Sequence, residues 1–155
     1  MKNFNHKIDY EKLGDSLGIS TELAKRFLTD GRIIGRLGEF IIEERGIGNR
    51  SISENTPYDN ISSDGQRIEV RSLTNGISFA SSKEVGYGRH VTESGFKEKL
   101  DSLDYYVCIN FDNAEDLKFI TVNKDDILKM EKNGLMRKNK SVSKKKFLKY
   151  IENKQ

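Results

Sequence analysis

The sequence predicts an α/β protein, a mixed sheet flanked by helices. Three observations carry that prediction. Apolar residues recur at helical spacing in several separate segments. Residues 67–73 alternate charged and apolar directly after an Asp64-Gly65 turn, the period of a strand. Residues 105–111 are almost continuously apolar, as in a strand covered on both faces. At 155 residues the chain is one domain's worth of sequence and long enough to bury a core.

Taken in order, residues 9–29 read as two short helices separated by Gly18-Ile19, with Leu13 and Leu17, then Leu23 and Phe27, at i,i+4. Helix, glycine turn, helix has the outline of a helix-turn-helix. Only Lys25 and Arg26 are basic on its second helix, which favours a capping or dimerisation role. Residues 32–46 place Ile33, Ile34, Leu37, Phe40 and Ile41 on one stripe, and Gly46 ends the helix. Gly35 and Gly38 weaken that helix and suggest close approach of a neighbour at both positions. Residues 47–56 read as loop or a short edge strand, and 77–80 as a third strand of the sheet after the Asn75-Gly76 turn. Residues 93–103 read as a helix, 105–111 as the central strand and 117–122 as its return. Asn123 caps a helix over 124–132, residues 137–140 form a basic loop, and Ser141 or Ser143 caps a last helix through Tyr150.

No apolar run approaches the ~20 residues of a membrane span. The start of the chain, residues 1–6, has no apolar signal segment. Cys108 is the single cysteine and lies inside the apolar run, so a buried free thiol and a cytosolic setting are expected, with no disulfide within the chain and no structural zinc. The net charge of +3 is unevenly spread: residues 129–155 carry a balance of +8 and the first 128 a balance of −5. A basic segment on an acidic body suits an anionic polymer.

The chemistry concentrates around residues 56–72. Ile68 and Val70 fall on one face of the strand, and Arg67, Glu69 and Arg71 on the other, with Glu69 and Arg71 about 6–7 Å apart. If Asp59 returns beside them across the turn, two carboxylates and a cation converge. A divalent cation relieves the repulsion of two such carboxylates, and Mg²⁺ on one or two carboxylates with phosphate oxygens is the usual arrangement for phosphoryl chemistry.

Pro57-Tyr58-Asp59, followed by Glu69-Val70-Arg71, resembles the Asp…(Asp/Glu)-x-Lys core of the PD-(D/E)xK nuclease superfamily, and the spacing is similar to that of small homodimeric type II restriction endonucleases. Arg71 departs from the pattern, which has lysine there. The Gly38-Glu39-Phe40 piece resembles the first helix of these nucleases, which implies Glu39 as an additional site acid, with Glu43 as second choice. The resemblance covers residues 30–122 and implies a restriction-endonuclease-like core of about five strands, with a helical pair at 1–29 and basic helices at 123–155 outside it.

That resemblance implies a Mg²⁺-dependent, site-specific double-stranded DNA endonuclease, a homodimer in the cytoplasm of a prokaryotic cell, with no organic cofactor. Asp59, Glu69 and the Val70 carbonyl would hold the metal, and Asp59, Glu69, Arg71 and Glu39 would form the catalytic set. Ser81, Ser82, Lys83, Tyr87, Arg89 and His90 would contact DNA, because hydroxyls and cations hydrogen-bond phosphates and base edges. Arg71 stays protonated and cannot serve as a general base. Three alternatives stay open: an active variant, an enzyme that uses Lys83 instead, or a DNA-binding protein whose nuclease-like site is degenerate. A repair or recombination nuclease fits the same fold, and in an unrelated α/β domain Glu69 and Arg71 would be a surface ion pair.

Overall fold

The structure, a computed structural model, describes residues 1–51, 53, 56–81, 91–112 and 115–154. Among the described residues it has six helices and a curled mixed sheet of six strands, with a second, two-stranded sheet beside it. The main sheet contains β1 (Phe4–Lys7), β2 (Asn49–Arg50), β3 (Asn60–Ile61), β4 (Arg67–Leu73), β6 (Tyr105–Asn110) and β7 (Asp116–Asn123), in the order β1-β7-β6-β4-β3-β2. β4 and β6 are parallel, and every other pair in this sheet is antiparallel. The apolar run expected at the centre is there: β6 lies between β7 and β4, and Cys108 is fully buried in it with its thiol pKa raised by burial.

Each face of the sheet has its own core. Helices α1 (Tyr10–Leu17), α2 (Thr21–Phe27) and α3 (Gly31–Glu44) belong to one side, where Ile34, Ile41 and Ile42 pack on Ile68, Val70, Val107 and Ile109. Helices α4 (Glu93–Asp101), α5 (Lys124–Lys132) and α6 (Lys144–Lys154) belong to the other, where Phe96, Leu100, Ile127, Phe147 and Ile151 share a cluster with Leu73, Tyr106 and Cys108. Helix starts follow the caps: Asp9, Ser20, Asp30, Thr92 and Asn123 each accept a backbone N–H of the first turn, and Asn123 with Asp126 closes a capping box.

Several expectations change. β5 (Gly76–Ser78) does not join the main sheet; it pairs antiparallel with β8 (Ser141–Ser143). Ser141 and Ser143 are therefore strand residues, and the last helix starts at Lys144. β1 carries a single large apolar residue, Phe4, and extends the sheet by pairing with β7, where Phe4 stacks on Phe119 at 4.3 Å between ring centroids. Gly38 does admit a neighbour: a Cβ there would lie 2.1 Å from Ile109 Cδ1 and 3.0 Å from Val70 Cγ1. Gly35 does not, since nothing lies within 4 Å of its Cβ position; it faces open space. α2 buries Ala24, its C-cap Leu28 is buried behind it, and Leu23 and Phe27 are about half exposed. Phe40 was expected on the buried stripe of α3 and is instead 46% exposed.

The basic loop at 137–140 is not uniformly solvated. Lys140 is buried, adopts a positive φ of 54°, and donates from Nζ to Glu93 and Glu131 at 2.5 Å each, with Nζ 4.8 Å from the Phe96 ring centroid. These two carboxylates raise its pKa against the opposing effect of burial.

Candidate active site

The β3–β4 hairpin forms around the turn at 62–66, where Gly65 takes a φ of 82° that glycine adopts freely and Ser62 Oγ accepts from the Gln66 amide. The hairpin pairs Asn60 with Ile68 and Ile61 with Arg67. β3 then ends, and the Asp59 amide donates to the Ile68 carbonyl at 2.9 Å. Among the described residues no strand covers that side of β4 beyond this point. The next amide on the open side, that of Val70, donates to Asp59 Oδ2 at 2.7 Å. The N–H and C=O of one strand residue point the same way, so the Val70 carbonyl faces this edge too.

Parity along β4 does the rest. Val70 packs toward α3, while Glu69 and Arg71 emerge on the α4 side beside Tyr106 and Cys108, their partners in register on β6. Glu69 is 5% exposed. Its Oε1 meets Arg71 Nη2 at 2.5 Å and its Oε2 meets Lys99 Nζ at 2.8 Å. Lys99 comes from α4, has a nearly buried side chain, and also donates to the Pro57 carbonyl at 2.7 Å. It therefore ties the motif aspartate's segment to the motif glutamate. Arg67, the third alternating charge, is not in the site: it forks onto Asp104, with Nε 3.0 Å from Oδ2.

From the other face, α3 brings Glu39 to the same cleft. Its carboxylate is mostly buried and pairs with Arg36 at 2.5 Å. The Asn60 side-chain amide donates to the Glu39 carbonyl at 3.1 Å and to the Gly48 carbonyl at 3.2 Å, which locks α3 to the residue beside Asp59. Glu43 lies elsewhere: it accepts the Arg50 amide at 3.1 Å and holds β2. The cleft has a volume of about 530 Å³ and is lined by Arg32, Gly35, Arg36 and Glu39 of α3, by Asp59, and by β4 from Glu69 to Ser72. Gly31 makes the close fit at its upper end, since a Cβ there would lie 2.9 Å from Ser72 Oγ and 2.8 Å from Thr74 Cγ2.

The electrostatics are unbalanced in one direction. Burial, then the neighbouring Glu69 carboxylate, pushes the Asp59 pKa up to about 6, with Glu39 adding to the rise and the Val70 amide and Arg71 opposing it. Burial also raises Glu39, against the pull of Arg36. Three carboxylates thus feel one another although two cations already sit on Glu69. Among the described residues, no three acidic, histidine or cysteine side chains close into a ready-made metal cage. Two carboxylates and a backbone carbonyl at an open edge are a donor set of the kind Mg²⁺ uses, because that ion keeps waters and takes phosphate oxygens for the remainder.

Sequence reasoning foresaw Asp59, Glu69, Arg71, Glu39 and Val70, and these come together. It missed Lys99, whose place on a polar helix face reads like any solvated lysine; only Leu100 and Phe96 on the neighbouring face indicate that α4 docks on the sheet. Of the expected DNA contacts, Ser82, Lys83, Tyr87, Arg89 and His90 lie outside the described residues, and Ser81 is partly buried at their edge. No described helix is long and apolar enough to cross a membrane. Comparison with protein families, with curated proteins and with solved structures gives no match to this chain.

Proposed function

We propose that this protein is a Mg²⁺-dependent DNA endonuclease with a restriction-endonuclease-like core. The observation that carries this reading is that Asp59 and Glu69 line one cleft at the open edge of β4, with Lys99 paired to Glu69. Asp59, Glu69 and the Val70 carbonyl would hold the metal, which when bound would offset charge on a phosphodiester and acidify a water. Lys99 supplies the lysine that the Glu69-Val70-Arg71 pattern lacks, from a helix instead of the strand. Its ammonium lies 2.8 Å from Glu69, and in this reading it would orient a water and stabilise charge on the phosphate. Arg71 contributes a permanent cation to the same phosphate, and Glu39 accepts hydrogen bonds from water at the cleft's far wall. Cutting both strands of a palindromic site calls for a twofold dimer.

One observation favours a second reading, a DNA-binding protein without cleavage: both Glu69 oxygens already have cationic partners. Incubation with long unmethylated duplex DNA and Mg²⁺ decides between them. Discrete fragments that vanish with Asp59→Asn support a site-specific endonuclease. Intact DNA, retained in a salt-sensitive gel shift with Ca²⁺, supports the binding protein.

A further inference from the structure

We infer that Phe40, framed by Arg36 and Arg50, is a stacking platform for a nucleobase freed from its duplex beside the candidate cleft. The inference rests on the nuclease reading and names the substrate feature that this site takes, a junction between paired and unpaired DNA.

Phe40 breaks the pattern of its own helix. Ile34, Ile41 and Ile42 are buried, whereas Phe40 leaves 46% of its surface in water. Two guanidiniums from separate segments stand over its ring: Arg50 of β2 with Cζ 4.2 Å from the centroid, and Arg36 of α3 at 5.7 Å. Arg50 is held by its backbone on Glu43, and its Nε is buried without a hydrogen-bond partner among the described residues. Arg36 is shared with Glu39, which faces Asp59 and Glu69 across the cleft. A half-exposed aromatic ring with guanidiniums packed over it is complementary to a flat π system that carries anions, which is a nucleotide. Bases within a duplex have both faces covered by neighbours, so a ring of this kind takes a base only from an overhang, a gap or a flipped position. Arg36 packs on the Phe40 ring and pairs with Glu39 in the wall of the cleft, so that base belongs beside the phosphate there.

The test is binding of the full chain, in Ca²⁺, to a blunt duplex and to the same duplex with a short overhang that carries 2-aminopurine at its first unpaired position. The wild type is expected to prefer the overhang and to quench its fluorescence. Phe40→Leu is expected to lose about tenfold in affinity for the overhang substrate only, and Phe40→Trp to keep it. Equal binding of both substrates by wild type and Phe40→Leu, without quenching, overturns the platform and leaves the nuclease reading standing. Binding of neither DNA by the wild type overturns both. Quenching that depends on Phe40, with no Mg²⁺-dependent cleavage of any duplex, keeps the platform and sinks the hydrolytic role. Circular dichroism of each variant confirms that it is folded.

Discussion

Two buried charge clusters in this molecule are near mirror images. At Lys140 one cation sits between two carboxylates, Glu93 and Glu131. At Glu69 one carboxylate sits between two cations, Arg71 and Lys99. The first cluster is closed: Lys140 lies over Phe96, and its carboxylates reach water, with side chains 70% and 33% exposed. The second is open to a cleft, and beside it stands a further acid, Asp59, whose ionisation the surroundings disfavour. A cluster that only supports the fold satisfies its charges. One that works on a ligand holds a charge that the fold alone leaves poorly satisfied.

The contrast is sharpest under substitution. Asp59→Asn and Glu69→Gln are expected to keep the fold and to lower Mg²⁺-dependent cleavage by about 10³-fold or more, measured as initial rates on plasmid DNA. A variant that unfolds instead makes Glu69 the same kind of group as Lys140, and the distinction collapses.

Next in size is the effect of pH on the metal-free protein. The folded-state pKa of Asp59 is raised to about 6, so its contribution to stability is fully present below the unfolded-state value and is lost as pH rises through about 6. With EDTA present, urea denaturation of Asp59→Asn should show it more stable than wild type at pH 8, by up to about 3 kcal/mol, and no more stable at pH 4. Equal stabilities at both values would remove the imbalance on which the comparison rests.

Lys99→Met is expected to slow cleavage by about 10²-fold while Ca²⁺-supported DNA binding persists, because its ammonium acts on charge that develops in the reaction. The smallest effect belongs to the closed cluster. Lys140→Met should leave cleavage unchanged and cost about 2 kcal/mol in urea denaturation. That is below the 3–5 kcal/mol usual for breaking a buried pair, because the stranded glutamates can turn to water.

Much of this was legible in the chain because local rules decided it. The Asp64-Gly65 turn and the alternation after it placed Asp59, Glu69 and Arg71 together. The caps and stripes gave the helices, and the unbroken apolar run gave the central strand. What escaped was settled by partners distant in sequence. β5 and β8 are three residues each, too short to show a period, and exist because they pair with each other. Lys99 and Lys140 look like ordinary surface lysines until α4 lies on the sheet, because Lys99 is 30 residues from its partner Glu69 and Lys140 is 47 from its partner Glu93. Phe40 matches the apolar spacing of α3, yet the stripe turns far enough to leave it outside.

The two-residue length of β3 has a further consequence. A strand abandoned by its neighbour part-way along presents free amides and carbonyls, which recruit foreign strands and seed aggregates. Here the first exposed amide of β4, that of Val70, is already occupied by the Asp59 carboxylate. The gap beside the cleft is thus also a margin open to strand pairing, and one aspartate occupies its first free amide.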